Sequence, residues 1–126
     1  MHRILLRKIY VDVPADAHDR TRDFWATALA GVAHRGVKYP EDHWLAHPAT
    51  PNQVLIQNIG DAPARYHVDI ETDDVDAEVA RLLAAGASEV ERQGNWVVLR
   101  DPAGLLLCVV PEEGDGFAER STVVDD

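Results

Sequence analysis

The chain runs through one structural plan twice, and this repetition restricts the architectures open to it more than any single motif does. Residues 4–13 alternate Lys8, Tyr10 and Asp12 against Ile9, Val11 and Val13 until Pro14 stops them, the pattern of a strand with one polar and one apolar face. Asp16 or Asp19 is then expected to cap a helix whose apolar residues Phe24, Trp25, Ala28 and Leu29 recur at helical spacing, with Gly31 as its stop. Phe24 and Trp25 are expected to pack in the core. Short segments at 32–38, 43–47 and 53–59, divided by Gly36, Pro40 and the turn Pro48-Ala49-Thr50-Pro51-Asn52, are each long enough only for a strand. The first half therefore reads β-α-β-β-β.

The second half follows suit. A strand at 66–72 leads to a helix capped near Asp73 or Asp74, carrying Val75, Val79, Leu82 and Leu83 and ending at Gly86. Strands at 88–92, 95–100 and 105–110 come next, the last two joined by Asp101-Pro102-Ala103-Gly104, which has the residues of a type I turn. Ala28-Leu29-Ala30-Gly31-Val32 matches Leu83-Ala84-Ala85-Gly86-Ala87, and in each half a Trp (Trp44, Trp96) precedes a Pro turn and a final apolar strand. An internal duplication of about 50 to 60 residues accounts for this. The stretch 112–126 is acidic, holds two glycines and has no period, so it is expected to be mobile or to dock on a neighbouring subunit.

The chemistry-bearing segment is His67-Val68-Asp69-Ile70-Glu71-Thr72. Strand alternation puts His67, Asp69 and Glu71 on one face and Val68 and Ile70 on the other, so one face is chemical and the other core. Three ionisable groups on one side face either bulk water or a polar cavity, and the flanking sequence favours the cavity. An imidazole has an unperturbed pKa of about 6.5, which makes a histidine so placed the best general acid or base in the chain.

Composition bounds the partners. A chain of 126 residues forms one domain and buries roughly two-thirds of its unfolded surface. With 12 Lys and Arg against 22 Asp and Glu, the net charge of −10 repels nucleic acid and anionic membranes. A single cysteine, Cys108, forms no internal disulfide, and the N-terminal apolar run is too short for a signal peptide, so a cytoplasmic location is expected.

Two β-α-β-β-β modules in one short chain resemble the vicinal oxygen chelate (VOC) superfamily, the glyoxalase, bleomycin-resistance and extradiol-dioxygenase group, and within it the glyoxalase-like domain proteins. The residues that carry the resemblance are Asp23-Phe24-Trp25 with Ala28-Leu29, Gln57, Tyr66-His67-Val68-Asp69-Ile70, the 76–87 helix with its Gly86-Ala87 ending, and Asp101-Pro102-Ala103-Gly104. The resemblance implies an α+β fold in which two βαβββ modules, at about 3–60 and 65–111 of a single domain, form a cup-shaped mixed β-sheet with helices outside. It implies that the polar faces of 8–12 and 67–71 line a shared cavity, and that the protein is a homodimer. Metal-dependent members place a ligand on the first and last strand of each module. Carried over, His67 matches a ligand histidine, Gln57 falls where a Glu or Gln sits, Lys8 or Tyr10 where a His or Gln would be, and Cys108 where a Glu would be. Lysine offers no lone pair and neutral tyrosine is a poor ligand, so no cofactor is expected; if a divalent metal is present, His67 and Gln57 are its ligands.

The function expected is binding of a small organic molecule, with metal-independent isomerisation, epimerisation or cyclisation. His67 is the acid or base, Asp69 or Glu71 orients it, and Tyr10 with Lys8 holds the developing oxyanion. Asp12, Gln57, Trp96 and Cys108 are expected to line the ligand. Two alternatives stay open, a non-catalytic drug- or metabolite-sequestering protein and a metal-dependent lyase or dioxygenase. His43 and His47 have the spacing of a helical zinc pair, but Pro40 and Pro48 confine them to a segment too short for a helix, so with Trp44 they are taken as pocket wall or surface.

Overall fold

A computed structural model describes every residue, Met1–Asp126. The chain divides into two compact units, one of residues Lys8–His67 and one of Met1–Arg7 with Val68–Asp126. Both are built on the β-α-β-β-β order, and with nine strands of mixed orientation and few helices the fold is α+β.

In the unit Lys8–His67, residues 8–13 of β1 (His2–Val13) are followed by a 3₁₀ turn at Ala15–Ala17, α1 (His18–Ala28), β2 (Val32–Arg35), β3 (His43–Ala46) and β4 (Gln53–Asn58). The strands are ordered β2-β3-β4-β1. β1 and β4 are parallel, with Tyr10 beside Leu55 and Asp12 beside Gln57. Parallel neighbours need a crossover, which the intervening helix and strands supply. β3 runs antiparallel to both its neighbours and sets Trp44 beside Leu55. Val11, Val13, Leu45, Val54 and Ile56 form a buried core against Trp25, Ala26 and Leu29 of the α1 segment. By alternation Tyr10, Asp12, Trp44, Leu55 and Gln57 lie on the opposite face.

Three expectations for this segment need correction. Neither Asp16 nor Asp19 caps α1: the N-cap is Ala17, without a side-chain hydrogen bond. The 3₁₀ turn that precedes the helix absorbs Asp16, while Asp19 falls in the first turn and pairs with Arg22 at 3.2 Å. Phe24 is 62% exposed, because successive helical residues point about 100° apart and Trp25 takes the core-facing direction. β2 ends at Arg35, since Gly36 N–H bonds the Asp42 carbonyl and turns the chain into a loop. Gly31 does mark the helix exit, and its lack of a side chain is required there: a Cβ would lie 2.8 Å from the Ala46 carbonyl oxygen.

The second unit contains residues 68–72 of β5 (Arg65–Thr72), then α2 (Val75–Ala84), β6 (Ser88–Gln93), β7 (Trp96–Arg100) and β8 (Leu106–Pro111), with strands ordered β5-β8-β7-β6. β5 and β8 are parallel, placing Asp69 beside Cys108. Val79 of α2 packs on Val97, Leu99 and Val109. Asp74 caps α2 by accepting the Ala77 N–H at 3.0 Å. In the 101–104 turn the Asp101 carboxylate accepts N–H bonds from Ala103 and Leu105, both at 2.9 Å.

The acidic C-terminal stretch is ordered, against expectation. α3 (Phe117–Arg120) buries Phe117, and β9 (Thr122–Val124) pairs antiparallel with His2–Ile4 of β1. Gly114 and Gly116, at φ of 83° and 80°, make the bends that bring it back. His2 is buried between Glu78 of α2, 2.7 Å from Nε2, and the side chain of Asp126 at Nδ1. No helix is long and apolar enough to cross a membrane.

Candidate functional site

Asp12 is the anchor of the site. Its carboxylate is fully buried on the face of β1 opposite the α1 core, and its Oδ2 lies 2.5 Å from His67 Nδ1 and 3.2 Å from Arg65 Nε. A buried carboxylate is stable only when paired, and here two β5 side chains at i and i+2 converge on one oxygen. Asp12 Oδ1 has no hydrogen-bond partner. A carboxylate oxygen accepts, so in this contact the imidazole donates from Nδ1–H. The Tyr10 ring lies flat against that imidazole, centroids 4.3 Å apart and planes 8° from parallel, so His67 is held by a charge on one side and a ring on the other.

The polar side of β5 is the buried one. Asp69 is 6% exposed and Glu71 wholly buried, while Val68 and Ile70 are only half-buried, so this face is turned away from bulk water. Glu71 lies 2.7 Å from Arg7 Nε and accepts the Glu113 N–H at 3.3 Å. Lys8 sits beside Gln53 and Gln57 beside Asp12 in the β1–β4 register. Trp96 opens β7, half-buried opposite Gln93. His43 is neither pocket wall nor surface: it is buried on the helix side of β3, and its Nδ1 is 3.0 Å from His18 Nε2. His18 was not singled out at all, since a histidine at a helix start carries no local sign of such a partner. Arg65 was also missed, although its spacing of two residues from His67 on one strand was the available signal.

Asp69 stands beside the buried Cys108 in the β5–β8 register. A carboxylate and a thiol as neighbours suit a borderline ion such as zinc rather than the oxygen-rich octahedral shell of a harder cation.

The class defined by this fold is the glyoxalase-like one. Residues 8–110 match the model of the glyoxalase-like domain family, and the chain belongs to that family. Among solved structures it is similar to methylmalonyl-CoA epimerase from Mycobacterium tuberculosis, with TM-score 0.60 and 16% identity over 86% of this chain and 88% of that one. It is likewise similar to 2,2',3-trihydroxybiphenyl 1,2-dioxygenase from Sphingomonas wittichii, with TM-score 0.60 and 14% identity over 86% of this chain and 40% of that one. A hypothetical protein from Bacillus halodurans aligns at TM-score 0.61 and 9% identity, over 90% and 97% of the two chains. These likenesses establish a VOC fold. No curated protein matches by sequence.

Proposed function

We propose that this protein is a cytoplasmic enzyme acting on a small organic molecule by general acid–base proton transfer at a carbon next to a carbonyl, an isomerisation or epimerisation. The observation that carries the proposal is the pairing of His67 with the fully buried Asp12 carboxylate. With Nδ1–H committed to Asp12, Nε2 takes the proton from carbon; the C–H electron pair becomes the C=C bond of an enolate, and the carbonyl π pair moves to oxygen. Asp12 stabilises the imidazolium that forms. Tyr10 and Lys8 supply the donors for the enolate oxygen. Asp69, two residues along β5 on the face of His67, returns a proton from a second position, and Glu71, committed to Arg7, has a structural role. The similarity to an epimerase and to a dioxygenase supports a small-molecule substrate without naming it. A homodimer is part of the proposal, because β2 and β6 are exposed edge strands that a second copy would cover.

Metal-assisted chemistry stands second, and the adjacency of Asp69 and Cys108 across β5 and β8 favours it. Those two residues would contribute ligands to the ion, which supplies polarisation of a carbonyl oxygen when bound. Elemental analysis of gently purified protein separates the two: stoichiometric zinc that is lost in Cys108→Ser supports the metal, and protein free of zinc at full activity removes it.

The proton-transfer proposal is tested by NMR in D₂O with methylmalonyl-CoA and benzoylacetate as probes, read as deuterium uptake at the acidic carbon above the buffer rate. Uptake on either probe that falls by about 10²–10⁴ in His67→Gln is the expected result. Binding of a probe without exchange is what a sequestering protein would give, and equal exchange by wild type and His67→Gln would remove His67 as the base.

A further inference from the structure

The face of β1, β3 and β4 opposite α1 carries an unusual row. Strand register aligns Trp44, Leu55 and Tyr10 side by side across three neighbouring strands. Trp44 is 38% exposed, with its indole stacked on the His34 ring at 4.5 Å, so its orientation is fixed rather than free. At the other end Tyr10 is fixed by its stack on His67. The strands that carry the two held rings lie two strand spacings apart, about 9.5 Å, with Leu55 as an apolar floor between them. Wide ring faces flanking a leucine accept a flat, polarisable group.

The neighbouring row, about 7 Å further along the strands, holds Asp12 and Gln57. Arg65 reaches this row through Nε, 3.2 Å from Asp12, and its side chain is 46% exposed. That single contact orients the guanidinium plane and leaves the Nη edge, a two-donor fork suited to a carboxylate. Because Asp12 also pairs with His67, the Arg65 charge is only partly spent on it, and in a chain of net charge −10 this edge is a local cationic point.

We propose that this face binds a flat, conjugated carboxylic acid, its ring laid over Leu55 between Trp44 and Tyr10 and its carboxylate on the Nη edge of Arg65. This rests on the proton-transfer site proposed above and names its substrate class: in a 3-aryl-3-oxo acid such as benzoylacetate, whose enol is flat and conjugated, the CH2 between ketone and carboxylate gives its proton to His67. The C–H pair becomes the C=C bond of an enolate conjugated with the ring, and the ketone π pair moves to oxygen.

The test is NMR titration of the full chain with trans-cinnamate, cinnamamide and hexanoate, which separate ring from charge. Cinnamate should bind about tenfold more tightly than either of the others. Arg65→Gln should raise the cinnamate Kd to that of cinnamamide and leave cinnamamide unchanged. Trp44→Ala should weaken both ring ligands and spare hexanoate. Both side chains are substantially exposed, so the variants fold; matching circular dichroism and melting curves check this. Equal affinities for the three ligands, or an unaltered cinnamate Kd in Arg65→Gln, would overturn the proposal. Deuterium exchange of benzoylacetate in D₂O is a separate readout: selective binding without exchange retains this ligand class and removes the catalytic role, whereas exchange that is indifferent to Arg65→Gln does the reverse.

Discussion

Asp12 and His67, 55 residues apart in the chain, share a 2.5 Å contact in which the carboxylate is wholly withdrawn from water. A partner that orients His67 therefore comes from another strand, β1. Asp12→Asn keeps size and one carbonyl acceptor for Nδ1–H but removes the charge that stabilises an imidazolium. Its exchange activity should fall by about two orders of magnitude with little change in KM. Asp12→Ala, which strips the acceptor from both His67 and Arg65, should also lower stability by about 1–3 kcal/mol in urea denaturation. Full activity in a well-folded Asp12→Asn protein would show that Asp12 does not position the base.

His18 and His43 are pushed below the ordinary imidazole value. For His18 burial is the largest cause, with the Asp19 and Asp42 charges only partly opposing it; for His43 burial leads and Arg22 adds to it. A depressed folded value means that the unfolded chain binds protons more readily, so the stability involved is fully present above about pH 6.5 and is lost as pH falls through the folded values. A thermal melt at pH 5 should lie roughly 4 °C or more below that at pH 7.5. His43→Gln, which cannot charge, should flatten this slope even if its melting point at pH 7.5 is lower. A slope as steep in His43→Gln as in the wild type would place the acid sensitivity elsewhere.

The strands and their polar faces were legible because alternation is a local signal that survives in a short window, as in residues 8–13 and 67–72. The turn at 101–104 and the Asp74 cap were legible for the same reason: Asp, Pro and Gly act within four residues of themselves. What sequence could not show depends on partners far along the chain. The pairing of Asp12 with His67, the contact of His18 with His43 and the union of Arg7 with Glu71 all require strand register or helix docking that no window contains. Phe24 was misassigned because helical spacing alone cannot choose between it and Trp25. The C-terminal stretch was misread because its acidity masks three successive β-favouring residues, Thr122-Val123-Val124, whose partner strand is at the opposite end of the sequence.

That C-terminal pairing has its own pH dependence, opposite in sign to that of the buried pair at His18. Burial, the largest single influence on His2, pulls its value down, but hydrogen bonds to Glu78 and Asp126 outweigh it and the net shift is upward. Arg81 lies 2.7 and 2.9 Å from the two Glu78 oxygens, and the Met1 amine lies 2.9 Å from the Asp126 side chain. Protonated His2 thus joins α2 to the C-terminal residue beside β9, where it is itself in register with Val124. A raised folded value gives stability that is fully present below about pH 6.5 and is lost as pH rises through that value. Hydrogen-exchange protection at Thr122–Val124, corrected for intrinsic rates, should be higher at pH 6 than at pH 8.5, by about tenfold if one hydrogen bond of roughly 1.4 kcal/mol is at stake. In His2→Phe the protection should be low at both values while the amides of β7 keep theirs. Protection that does not change between the two pH values in the wild type would mean that β9 is held by its backbone ladder alone and that His2 is a buried neutral spacer.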